Sequence, residues 1–216
     1  MYKLAIFDLD GTLANTLESM ATAGNEMLVK LGFHERNVEE YKYFVGNGSD
    51  VLVQRLLRAE GDKDLVHFEK ANPIYLELLE KYRTHQTKLY DGIKEMLDYL
   101  KQKGIKIAVL TNKPHDTAVT VVGELFEEGY FDKILGQQAG IKKKPDKEGA
   151  IRLAEYFHVR PEECVYVGDT DVDMMTGNAA NMYTIGVSWG FRTEKELKEH
   201  HAHRIIHQPS ELCDLI

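Results

Sequence analysis

Near the start of the chain, Asp8-Leu9-Asp10-Gly11-Thr12 puts two carboxylates two positions apart, directly after the apolar run Leu4–Phe7. Such a run has the character of a buried strand, so both acids sit at a strand end where Gly11 permits a sharp turn. At ~4 Å and an effective dielectric of about 20, two anions repel by roughly 4 kcal/mol. The pair therefore needs a cation, a shared proton or wide separation. A solvated loop with Asp10-Gly11 in a turn is the bland alternative, and a second occurrence of the pattern weakens it. Residues 164–167 form another apolar run and lead into Gly168-Asp169-Thr170-Asp171-Val172-Asp173. If the two strands are neighbours, Asp8, Asp10 and Asp169 converge, and a hard divalent cation with oxygen ligands relieves their charge. Magnesium is the expected ion, because it keeps waters and accepts a substrate phosphate oxygen. Calcium in an EF-hand loop is disfavoured, since the Gly and Glu of that loop are missing.

Two further segments offer groups to an anion. The apolar run 105–110 ends in Thr111-Asn112-Lys113-Pro114, where Pro114 is expected in the first turn of a helix, leaving a hydroxyl and free amides at a strand end. Lys142-Lys143-Lys144-Pro145 is a lysine run, a pattern that usually marks a solvated face. In an acidic chain, however, a lysine held by a following proline could set an ammonium against a phosphate or an attacking carboxylate.

Together these four pieces resemble, in order and spacing along the whole chain, the motifs of the haloacid dehalogenase superfamily of phosphohydrolases. The resemblance implies a Rossmann-like core and a phosphatase that works through an aspartyl-phosphate. It makes Asp8 the nucleophile and Asp10 the general acid and base. Thr111 and Lys144 would hold the phosphoryl group, with Asn112 beside them. Asp8, Asp169 and the Asp10 carbonyl would ligate Mg2+, with Asp173 as outer support. Two departures stand out: Asp146-Lys147 follows the Lys-Pro pair where x-Pro is common, and three lysines precede the proline, so Lys143 competes with Lys144 for the role. Gly46, Asn47 and Gly48, in Phe44-Val45-Gly46-Asn47-Gly48, look like the substrate-facing cap loop of phosphoglycolate phosphatase-like members; a plain helix-start turn reads equally well. Readings kept alongside are a phosphomutase of the β-phosphoglucomutase type, which Thr12 after Asp-Gly leans against, and a non-enzymatic receiver-like phosphoaspartate domain, which would lack a large helical insertion.

The elements that must position these groups alternate strand and helix. Leu4–Phe7, 105–110, 164–167 and Tyr183–Val187 read as buried strands. Ile93, Met96, Leu97 and Leu100 mark a helix ending at Gly104. A doubly wound parallel sheet with right-handed crossovers follows, an α/β core. From Leu17 onward the apolar spacing is helical instead: Leu17, Met20, Ala21, Met27, Leu28 and Leu31 share a face, and Leu52, Leu56 and Leu57 mark a second helix. Phe68, Ala71, Tyr75, Leu78, Leu79 and Tyr82 mark a third, in which Pro73 predicts a kink or a break. The expected division is a core of 1–15 with 86–216 and an all-helical cap of 16–85, hinged near Thr16 and at 85–91. An insertion there lies over the carboxyl ends of the strands, where ligands bind in open α/β sheets.

Composition limits the partners. The apolar share is 43% and the formal net charge −8, so the surface repels nucleic-acid backbones and anionic membranes and a small phosphorylated metabolite is the expected partner. Two cysteines in apolar stretches, Cys164 and Cys213, suggest buried thiols in a reducing compartment. No signal-like or membrane-length apolar run is seen, and a cytoplasmic monomer or homodimer is expected. Trp189-Gly190-Phe191-Arg192 is read as a packed loop, and His200, His201 and His203 as an exposed helical cluster without a role.

Overall fold

A computed structural model describes residues 2–216. Strand β1 (Leu4–Phe7) leads through the two-residue strand β2 (Ala14–Asn15) into four helices: α1 (Leu17–Lys30), α2 (Tyr41–Phe44), α3 (Ser49–Ala59) and α4 (Phe68–Lys81). The two-residue strand β3 (Lys88–Leu89) returns the chain, followed by α5 (Ile93–Gln102), β4 (Lys106–Pro114), α6 (His115–Leu125), β5 (Lys133–Gln137) and α7 (Glu148–Tyr156). The last third holds β6 (Cys164–Gly168), α8 (Asp171–Ala179), β7 (Tyr183–Val187), α9 (Glu194–Glu199), β8 (Arg204–Ile206) and α10 (Ser210–Cys213).

Six strands form one sheet in the order β5-β4-β1-β6-β7-β8, and every pairing in it is parallel. Both faces are covered, which is why the strands read as unbroken apolar runs. Ala5, Phe7, Ile107, Val109, Val165 and Val167 enter the core on one face. Leu4, Ile6, Ala108, Leu110 and Tyr166 enter the other. The chain builds outward from β1 to β4 and β5, then crosses back to β6, β7 and β8, so the winding direction reverses beside β1. At such a point the crossovers diverge and leave a crevice at the carboxyl ends.

Helices α1, α3 and α4 bury their apolar faces against one another, with Met27, Leu56, Leu57, Tyr75 and Leu79 at the centre. Phe191, from the segment after β7, joins this cluster and ties it to the sheet. The expected hinge segments are not plain loops. Strands β2 and β3 pair antiparallel, Ala14 with Leu89 and Asn15 with Lys88, so the entry and exit of the helical insertion form a short ribbon.

Three expectations change. Pro73 lies inside α4 without breaking it, because its missing N–H deprives only one carbonyl, that of Glu69, of its helical partner. Pro114 ends β4 and caps α6 instead of occupying its first turn. His200, His201 and His203 lie beyond the end of α9; the His203 ring stacks on Tyr183 at 5.0 Å, and its Nδ1 meets Thr184. Cys164 is buried, Cys213 only partly so.

Candidate active site

Register brings the acids together. Phe7 is level with Val109 on one side and Val167 on the other, so Asp8 leaves β1 opposite the ends of β4 and β6. The Asp8 amide donates to the Val167 carbonyl at 2.9 Å, which extends the β6 pairing by one residue and delivers Asp169 alongside. Oxygens of Asp8, Asp169 and Asp173 lie within 4.8 Å of one another, all three residues buried.

Their surroundings hold them there. Asp169 accepts from the Thr12 hydroxyl at 2.9 Å and the Phe191 amide at 2.8 Å. Gly11, with φ of +85°, and Gly190 flank it; a Cβ on Gly11 would come within 2.3 Å of the Asp169 carboxylate, and one on Gly190 within 2.2 Å of its Cβ. Both glycines are thus required by close approach, and Gly11 by its backbone as well. Asp173, in the first turn of α8, accepts from the Thr170 amide and hydroxyl at 3.1 and 2.7 Å.

Lys144 is the one of the two competing lysines that reaches the acids. Its Nζ lies 2.9 Å from Asp8 and 2.7 Å from Asp173, with the side chain 3% exposed. Lys143 points elsewhere and pairs with Asp50 at the start of α3. Asn112 fixes the lysine's loop: it accepts from the Lys144 amide at 2.8 Å and donates to the Lys144 and Gly46 carbonyls at 3.0 and 3.1 Å. Its side-chain amide joins the two loops, and the residue also lines the cavity. Asn47 is likewise occupied, accepting from Arg55 at 2.8 Å. Arg192 donates to the Val45 carbonyl at 3.1 Å and pairs with Glu196, so it too braces the cap loop.

Asp10 does not join the three clustered carboxylates. Its side chain accepts from Thr16 at 2.6 Å and pairs with Lys113 at 2.9 and 3.2 Å. Asp173 joins Asp8 and Asp169 by its side chain, while the Asp10 side chain lies apart on Lys113. Lys113 carried no role in the sequence reading; the only signal was its place in the Thr111 segment. A cavity of about 40 Å³ is bounded by Asp8, Asp10, Thr111 and Lys113 from the sheet side and by Gly46, Gly48 and Leu52 from the helical side.

Electrostatics are decided by burial. Burial, opposed chiefly by Lys144, raises the Asp8 carboxyl to about 7. Burial and the charges of Asp173 and Asp8 push Asp169 well above the usual carboxylate range. Burial works against the charge of Lys144, but Asp173 and Asp8 outweigh it and hold the ammonium. With Lys113 paired to Asp10, three buried carboxyls face one ammonium, so full ionisation would leave two negative charges unbalanced, and it is this cost that raises Asp8 and Asp169. A divalent cation with oxygen ligands fits that imbalance.

Between the ordinary carboxylate value of 3.8 and about 7, folded Asp8 holds a proton that the unfolded chain has released, so stability falls as pH rises through that window. A cation displaces the proton and reverses the loss. Magnesium should therefore raise the melting temperature more at pH 8 than at pH 5. An equal increment at both, by calorimetry, would separate the ion from these acids.

Residues 5–187 match the haloacid dehalogenase-like hydrolase family. A phosphoglycolate phosphatase of Nitrosospira multiformis is 31% identical over 216 residues, covering 99% of this chain and 95% of its own. One from Psychrobacter arcticus is 30% identical over 202 residues, 91% and 88% of the two chains. The crystal structure of a candidate phosphoglycolate phosphatase from Lactobacillus delbrueckii superposes with a TM-score of 0.89 at 33% identity, covering 100% and 98%.

Proposed function

Because the chain belongs to the haloacid dehalogenase-like hydrolase family, we propose that it is a magnesium-dependent phosphatase that hydrolyses a small phosphate monoester, 2-phosphoglycolate foremost, through a phosphorylated Asp8. The observation that carries this reading is the buried trio Asp8, Asp169 and Asp173 at the carboxyl edge of β1 and β6, with Asp8 also lining a small cavity.

In this reading an Asp8 oxygen attacks phosphorus, forming the acyl phosphate as the ester P–O bond breaks. Asp10, once it has taken up a proton from solvent, gives it to the departing alkoxide, then takes one from the water that opens the acyl phosphate, releasing inorganic phosphate. Thr111 and Lys144 hold the phosphoryl oxygens, and Lys144 also keeps Asp8 aligned. Asp8, Asp169 and the Asp10 carbonyl would hold the ion, Asp173 supporting, and the ion when bound offsets phosphoryl charge. Residues 16–85 act as the cap and 1–15 with 86–216 as the core. Gly46 and Gly48, both on the cavity wall, shape the substrate's surroundings. The enzyme acts in the cytoplasm on a small metabolite; among the described residues no helix is long and apolar enough to cross a membrane.

Phosphate release from 2-phosphoglycolate, pyrophosphate and hexose phosphates, with magnesium or with EDTA, tests the proposal. Release from 2-phosphoglycolate is expected to be fastest and to vanish in EDTA. Inactivity on every compound, or full activity in EDTA, would overturn it.

A further inference from the structure

Lys113 has a charge that the mechanism above does not use. Its side chain is 2% exposed, and among the described residues its Nζ pairs with Asp10 alone, reaching both carboxylate oxygens. Among the described residues it is also the only basic side chain on the cavity wall; Lys144 is engaged by Asp8 and Asp173. A buried ammonium needs an anionic partner, because water is not there to replace one. Yet its partner is the group that has to swing to the leaving oxygen during hydrolysis. When Asp10 turns away, something else must meet Lys113.

We propose that this partner is a carboxylate on the substrate itself, and that Lys113 is the residue selecting a carboxylate-bearing phosphate ester. The Asp10 carboxylate occupies on Lys113 the position that the substrate carboxylate takes. Binding of the right substrate thereby frees Asp10 for proton transfer, so recognition and activation are one exchange of ion pairs. The remaining wall supports the choice. Val45, Met20, Leu52, Leu79 and Phe191 make much of that wall apolar, so Lys113 is the charged group left there to meet an anionic substrate tail. A site built around a buried charge discriminates strongly against an analogue lacking the matching group, since the analogue strands that charge. The inference rests on the phosphatase reading and adds the residue that reads the substrate's carboxylate.

The test compares kcat/KM for 2-phosphoglycolate and for 2-hydroxyethyl phosphate, an ester of similar size with a neutral tail, in wild type, Lys113→Met and Lys113→Gln. Gln retains a donor for Asp10 while removing the charge, and thermal melts establish that each variant is folded. Wild type should favour the carboxylate ester by on the order of 100-fold. Both variants should lose that preference, with the ratio near one and KM for 2-phosphoglycolate raised, even if both esters are turned over more slowly. Variants that keep the wild-type ratio would overturn the proposal, as Lys113 would then act only through Asp10. So would a wild type that prefers the neutral ester, which leaves the phosphatase reading standing. A wild type that hydrolyses neither ester sinks the phosphatase reading instead.

Discussion

Asp8→Asn lowers kcat by about 10⁵-fold or more, to the level of background hydrolysis, since removal of an attacking group is among the costliest changes an active site can suffer. Asn keeps the shape of the side chain, and its amide is too weak a nucleophile to form the acyl phosphate. The same change removes one of three crowded acids, so it relieves repulsion where Asp8 meets Asp169 and Asp173. Activity and stability should therefore move in opposite directions. Without metal at pH 8, where Asp8 of the wild type is mostly ionised, the variant should melt higher than wild type. Phosphate release near the wild-type rate would take the nucleophile's role from Asp8.

The sheet was legible wherever a strand is buried on both faces, because Leu4–Phe7 and Tyr183–Val187 are continuous apolar runs with no helical period. β5 escaped notice since it opens on a lysine and carries Gly136, and it lies at the sheet edge where one neighbour suffices. β8 and the β2–β3 ribbon are too short to leave a period at all. The helical insertion was plain from spacing, yet the continuity of α4 through Pro73 was not, because a proline's effect depends on whether one carbonyl can do without its partner.

At the site, local pattern located what local pattern can hold. Strand-end acids announce themselves, and Asp8 and Asp169 follow directly from the apolar runs before them. Which carboxylate completes the trio was decided by the direction of side chains across the crevice: Asp10 turns to a lysine 103 residues away, while the first turn of α8 swings Asp173 inward. Lys113 was passed over for the same reason. Nothing in its neighbourhood of sequence says that its ammonium is buried or that its partner comes from the β1 end. The choice between Lys143 and Lys144 likewise rested on tertiary contacts, Asp50 for one and Asp8 with Asp173 for the other.

Lys144→Met tests the charge arithmetic directly, because methionine keeps much of the buried chain while deleting the ammonium between Asp8 and Asp173. Loss of a cation that offsets phosphoryl charge should lower kcat/KM by about 10³-fold. Stability without metal should fall as well, by about 3–5 kcal/mol near pH 8, the usual consequence of stranding buried charges. The pH dependence separates this cause from mere loss of packing. Lys144 is the chief influence drawing the Asp8 carboxyl down, so its removal lifts that carboxyl above about 7. The folded variant then retains protons over a wider range than wild type, and stability is lost over a window reaching to higher pH. At pH 5 Asp8 is largely neutral in both proteins and the melting difference should be the smaller; at pH 8, where wild-type Asp8 is mostly ionised, it should be the larger. Magnesium should narrow the gap at pH 8 by returning positive charge to the same carboxylates. A deficit of equal size at pH 5 and pH 8, unaffected by magnesium, would mean that Lys144 contributes packing alone and that the three acids do not share the charge balance from which the catalytic reading is built.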